Sequence, residues 1–252
     1  MTLLITGGAS GIGAATAKLA AARGHKVAIN YRSRDAAAKA VVADITATGG
    51  QAVALPADVS READIQRLFD AAEKALGPIT HLVNSAGIGA SARVEDFDAA
   101  VLARLFAVNT VGLMLCCREA ARRMSTKHGG KGGVIVNVSS MAATIGGRPG
   151  VSANAASKAA VDSFTMGFAK EVAHEGIRAV SLRPGMIETE MTERTLADRE
   201  VRAAIESTIA MGRVGQAGEI ANAILWLLSD EASFISGVTL DASGGGFVFG
   251  KR

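Results

Sequence analysis

Tyrosine is nearly missing from this chain. Tyr31 is the sole one in 252 residues, and aromatics make up only 4%. No aromatic platform for stacking bases accompanies the basic residues, so nucleic acid is not an expected partner. Cysteine is as scarce. Cys116 and Cys117 are neighbours, which makes neither a useful staple nor a metal-ligand spacing. No metal is expected, and a reducing cytoplasm is the natural setting. No uncharged apolar run reaches about 18 residues, so no membrane span is expected. The opening stretch Met1-Thr2-Leu3-Leu4-Ile5-Thr6 lacks basic residues and enters a glycine turn at once. It reads as a first strand, not a signal peptide. Neither charge sign dominates: 27 Lys and Arg against 24 Asp and Glu leave +3. Arg118, Arg122, Arg123, Lys127 and Lys131 gather near one predicted helix end, where cations suit the helix dipole.

What is present is a regular alternation. Hydrophobic residues make up 49%, and the mean hydropathy of +0.27 fits a globular chain with large buried elements. Apolar or β-branched runs at 3–6, 27–31, 52–56, 81–84, 134–139, 179–183 and 238–241 read as strands. Alanine-rich stretches at 13–23, 36–48, 63–76, 99–126, 155–175 and 217–229 read as helices. Strands that are apolar throughout, separated by helices, predict an α/β fold: a Rossmann-type doubly wound parallel sheet of about seven strands with helices on both faces. No linker or repeat interrupts the pattern, so 1–252 is read as one domain. The charged, irregular segment 189–211 is the expected lid.

The first predicted strand ends in Thr6-Gly7-Gly8-Ala9-Ser10-Gly11-Ile12-Gly13. Glycines at 7, 11 and 13 permit a tight strand-to-helix turn and close approach of backbone to a pyrophosphate. The helix start then offers N–H groups and a favourable dipole. The second strand ends in Asn30-Tyr31-Arg32-Ser33-Arg34, with no carboxylate before Asp35. An acid there would accept from a ribose 2′-hydroxyl, whereas guanidinium matches a 2′-phosphate. This favours NADP(H) and leaves NAD(H) as the alternative. Ordinary solvated arginines at 32 and 34 would look the same.

These motifs resemble those of the short-chain dehydrogenase/reductase family, from about residue 3 to residue 246. After the glycine turn come Asp58-Val59, Asn84-Ser85-Ala86-Gly87, Val108-Asn109 with Gly112, Ser139-Ser140, Lys158, and Arg183-Pro184-Gly185 with Thr189. The resemblance implies that Gly7, Ser10, Gly11, Ile12 and Gly13 cradle the cofactor and that Tyr31 and Arg32 face its ribose end. It implies that Asp58 and Val59 contact adenine and that Asn84, Ala86 and Gly87 line the cleft, with Ser85 departing from the usual asparagine. Pro184, Gly185, Ile187 and Thr189 would hold the nicotinamide end. Asn109 would kink its helix and carry a water to Lys158, and Ser140 would bond the substrate oxygen. Taken singly, each has a structural alternative, such as a helix cap or a satisfied buried amide.

The family's reaction is hydride transfer between nicotinamide and a small carbonyl or alcohol. A tyrosine four residues before the lysine handles the proton. Here Asn154 holds that position. The i, i+4 spacing still puts both side chains on one helix face. An amide donates a hydrogen bond but releases no proton. Lys158 could act through a water, less efficiently, while Tyr31 and His25, His81, His128 and His174 are expected elsewhere. Two functions follow: an oxidoreductase with impaired turnover, or a nucleotide-binding pseudoenzyme used in sensing or assembly. Met141, Ile145, Arg148, Ile88, Met186 and Met191 are expected around an apolar substrate pocket. The long small-residue helices predict a homo-oligomer, most simply a homotetramer, and the resemblance implies that they pair across subunits, with the tail from 244 to 252 adding a second contact.

Overall fold

The computed structural model describes residues 1–246. Its strands are β1 (Thr2–Thr6), β2 (Lys26–Tyr31), β3 (Gln51–Pro56), β4 (Ile79–Asn84), β5 (Gly133–Val138), β6 (Ile177–Pro184), β7 (Ile187–Glu188), β8 (Gly215–Gln216) and β9 (Thr239–Ala242). Seven form one sheet in the order β3-β2-β1-β4-β5-β6-β9. Every neighbouring pair in it is parallel. The helices are α1 (Gly11–Ala22), α2 (Asp35–Ala47), α3 (Glu62–Leu76), α4 (Ala99–Phe106), α5 (Leu113–Met124), α6 (Ala142–Ile145), α7 (Ser152–Val172), α8 (Glu193–Leu196), α9 (Arg199–Glu206) and α10 (Ala217–Leu228).

The apolar runs explain the layering. Side chains alternate along a strand, so in β1 Leu4 enters one cluster while Leu3 and Ile5 enter the other. The Leu4 cluster packs under α3, α5 and α7 through Phe69, Cys117 and Phe168. The Leu3 cluster packs under α1, α2 and α10 through Ala17, Val41 and Ile224. Both sheet faces are therefore buried, as an all-parallel sheet requires. Truncating Leu4 to Ala would cost about 2–5 kcal/mol.

One predicted helix is divided. The run 99–126 is α4, a π turn at Ala107–Gly112, and α5. The reason lies in a contact distant in sequence. A Cβ on Gly112 would stand 2.2 Å from the Val59 carbonyl oxygen, so this turn presses backbone against backbone. By length and composition Ala99–Met124 could cross a membrane, with a mean hydropathy of 1.9 over its best window. Its inner face is instead built into the protein through Leu105, Val108, Leu113, Cys116 and Ala120. The segment expected as a lid folds into α8 and α9 over a small core of Leu196, Ile205, Ile209 and Val214. Its base is the short β7–β8 pair. Of the tail, residues 247–252 lie outside the described residues.

Candidate active site

The carboxyl ends of the strands gather around one cleft, and buried amides and hydroxyls tie them together. Asn30 Nδ2 donates to Ala57 O at 3.0 Å, and Asn30 Oδ1 accepts from Gly7 N at 3.4 Å. Thr6 Oγ1 accepts from the N–H groups of Ser85 and Ala86, both at 3.2 Å. Neither Thr6 nor Asn30 was expected among the functional residues. Both open motifs visible in the sequence, but their contacts join segments far apart in the chain, which local spacing does not reveal.

The glycine turn is shaped for close approach. Gly7 and Gly11 have φ of 67° and 52°, a region open to glycine. A Cβ on Gly7 would lie 2.7 Å from Ala86 Cα, and one on Gly13 would lie 2.3 Å from Gly7 O. Ser10 stands at the α1 N-cap without a side-chain bond to the first turn, and Ile12 packs toward the core. Such a cradle fits a dinucleotide, whose pyrophosphate would take the N–H groups at the helix start.

At the cleft's other end lie Tyr31, Arg32, Arg34, Asp58, Val59, Ala86, Gly87 and Arg104. Arg32 and Arg34 make no side-chain bond or ion pair with any described residue. The nearest acid is committed: Asp35 accepts from Tyr31 Oη at 2.6 Å and pairs with Lys39 at 2.8 Å. Asp58 is held by Ser60 N and Oγ and by Arg104 Nη2. Burial opposes its charge, but these donors outweigh it and hold the carboxyl down at about 2. Asn84 points its side chain away from the cleft. It is buried and bonded to Asn137 Oδ1 at 2.9 Å, so only its backbone faces cofactor space.

The structure brings Asn109, Asn154 and Lys158 together. Asn109, in the π turn, exchanges two bonds with the Ile88 backbone: Oδ1 accepts from N at 2.9 Å and Nδ2 donates to O at 3.0 Å. The same Nδ2 lies 3.3 Å from Asn154 Oδ1 and 3.2 Å from Ser157 Oγ. Asn154 thus turns its acceptor toward Asn109, and its own amide N–H groups remain to donate. Lys158 Nζ donates to Val138 O at 2.8 Å, at the end of β5. A Cβ on Gly87 would lie 3.7 Å from that ammonium and 3.5 Å from Asn109 Oδ1. Burial pushes Lys158 down to about 8, against the pull of Asp162. Ser140 Oγ accepts from Ala142 N at 3.1 Å, which leaves its proton free for a substrate oxygen. His25 and His81 pack edge to face near the opposite, amino end of the sheet.

The segment after β6 reaches back to the glycine turn. Pro184 ends β6, and Gly185 sits where a Cβ would meet Ser243 Cα at 2.9 Å. Ile187 is buried in β7. The Thr189 methyl lies 3.2 Å, and Glu190 Oε2 3.6 Å, from the point a Gly11 Cβ would occupy.

Residues 7–246 match the family model described as enoyl-(acyl carrier protein) reductase. The chain is 45% identical to the uncharacterized oxidoreductase YgfF of Escherichia coli, over 96% of this chain and 98% of that protein. A dehydrogenase/reductase from Sinorhizobium meliloti 1021 superposes with a TM-score of 0.90 at 36% identity, covering 97% of this chain and 94% of the other. A short-chain dehydrogenase/reductase from Serratia marcescens does so with a TM-score of 0.90 at 31% identity, over 97% and 96%.

Proposed function

This chain belongs to the short-chain dehydrogenase/reductase family, and we propose that it uses NADP(H) to interconvert a small, largely apolar carbonyl compound and its alcohol, at a rate limited by Asn154. Family membership makes it an NAD(P)-dependent oxidoreductase acting on CH–OH and C=O groups. The preference for NADP(H) rests on Arg32 and Arg34. Both stand on the cleft without partners among the described residues, while Asp35 is engaged by Tyr31 and Lys39. Gly7, Gly11, Gly13, Asp58, Val59, Ala86, Gly87 and Thr189 would hold the cofactor. When bound, the reduced cofactor supplies hydride.

The chain's own residues divide the remaining work. Ser140 donates to the carbonyl oxygen. Asn154, fixed through its acceptor to Asn109, offers an N–H to the same oxygen but no proton. Lys158 keeps N–H groups beyond the one spent on Val138 O and supplies the proton through a water. Losing a directly placed acid costs about 10²–10⁴-fold in rate. Nothing among the described residues favours the alternative of a non-catalytic nucleotide binder. The setting would be the cytoplasm and the assembly a homotetramer, with 1–252 as one domain and 189–211 as its lid.

Fluorescence titration tests the cofactor preference. NADPH is expected to bind at least about tenfold more tightly than NADH, and Arg32→Asp is expected to weaken NADPH selectively, because it sets a carboxylate against the 2′-phosphate. Equal or reversed affinities in the natural protein would contradict this reading.

A further inference from the structure

Arg104 belongs to none of the sequence motifs, yet it lines the cleft at the end of Tyr31, Arg32 and Asp58. Its guanidinium closes on the loop after β3. Nη2 lies 3.1 and 2.9 Å from the two Asp58 carboxylate oxygens, and Nη1 donates to Ser60 Oγ. Two residues further on, α4 ends and the π turn begins. The far end of that turn touches the same loop, since Gly112 packs directly on the Val59 carbonyl. The segment 58–60 therefore grips this helical run at residue 104 and again at residue 112. Asn109 lies between the two grips. From there Asn109 reaches the Ile88 backbone, Asn154 and Ser157.

We propose that Arg104 is a positioning residue that transmits occupancy of the adenylate end of the cleft to Asn109 and to the segment 152–158. The proposal rests on reading this cleft as an NADP(H) site. The physical link is competition for one carboxylate. Asp58 Oδ1 already accepts from Ser60 N, Ser60 Oγ and Arg104. A base donor arriving at Asp58 must share or displace the guanidinium. Arg104 has no other side-chain partner among the described residues than Asp58 and Ser60, so it shifts with them. The shift enters a π turn, an element with a competing α-helical register. Both the loop and Asn109 bias that register, which is what coupling through a packed element requires.

Adenosine 2′,5′-bisphosphate fills the adenylate end alone, so it separates this link from direct contact with the nicotinamide side. Hydrogen exchange followed by mass spectrometry would read the segment 152–158, with occupancy fixed by calorimetry. In the natural protein at saturation, exchange there is expected to slow by at least about fivefold. In Arg104→Met at equal occupancy the slowing is expected to fall below about twofold, and Arg104→Lys, which keeps charge but not the fork, to lie between. Full protection in Arg104→Met, or none in the saturated natural protein, would overturn the proposal while leaving the cofactor reading intact. Failure of the natural protein to bind the bisphosphate would remove the cofactor reading and this proposal with it. If Arg104→Met misfolds or does not bind, Ser60→Ala decides. It removes one anchor of the guanidinium and keeps Asp58, and it should reduce protection at 152–158 by at least half; unchanged protection would overturn the proposal.

Discussion

Lys158 Nζ is bonded to Val138 O at 2.8 Å, and burial, partly offset by Asp162, brings its ammonium down to about 8. Asp162 is itself engaged by Ser181 Oγ at 2.6 Å and Arg183 Nε at 2.7 Å, so its pull on Lys158 is shared. If Lys158 supplies the proton, the protonated form is the active one. Carbonyl reduction at saturating NADPH is then expected to be flat below pH 8 and to fall about tenfold per unit above it. Lys158→Arg keeps the charge without titrating, so its profile should be flat to about pH 9.5 at a lower rate. A natural profile flat through pH 10 would remove Lys158 as the donor. At this scale the sequence was legible wherever a motif carried the residue. Asn154, Lys158, Ser140 and Asn109 are the residues to which the family resemblance points. Arg104 and Ser60 stand outside every motif, and the roles of Asn30 and Thr6 come from bonds to segments far off in sequence.

Among the elements, the seven long strands match the sequence expectation within about two residues at each end. Burial on both faces writes itself into the chain as unbroken apolar runs. The π turn left no mark in composition, but the family resemblance expects a kink at Asn109, and the turn at Ala107–Gly112 contains that residue. β7, β8, α6 and α8 are too short to show a period. The residues after β7 have a consequence for binding. Thr189 and Glu190 lie against Gly11, which places a carboxylate where the helix start should receive an anion. Glu190→Gln is expected to tighten NADPH by about two- to fivefold at low salt, with a smaller gain at high salt. Unchanged affinity at both ionic strengths would show that Glu190 moves clear before the cofactor binds.

For the whole molecule, exposed large apolar side chains are spread over several elements, and two groups of them bear on assembly. Val101 and Val111 lie on the long helical run, with Met166 on α7. Phe234 and Val238 lie beside β9, an edge strand of the sheet. The proposed homotetramer would need two kinds of two-fold contact, and these two groups are candidates for them. Light scattering at micromolar protein is expected to give four chains per particle, and a monomer would contradict it. On the proposed function, a working oxidoreductase cleft survives around a missing acid. Asn154→Tyr tests it most directly, because asparagine and tyrosine have similar helix propensities and Lys158, Ser140 and Asn109 stay in place. NADPH oxidation would be measured for both proteins against aldehydes, ketones and diketones, after confirming equal cofactor affinity. Slow reduction by the natural protein and at least about a tenfold gain in the variant are expected. A folded, NADPH-binding variant that gains nothing on any substrate would contradict the proposed function.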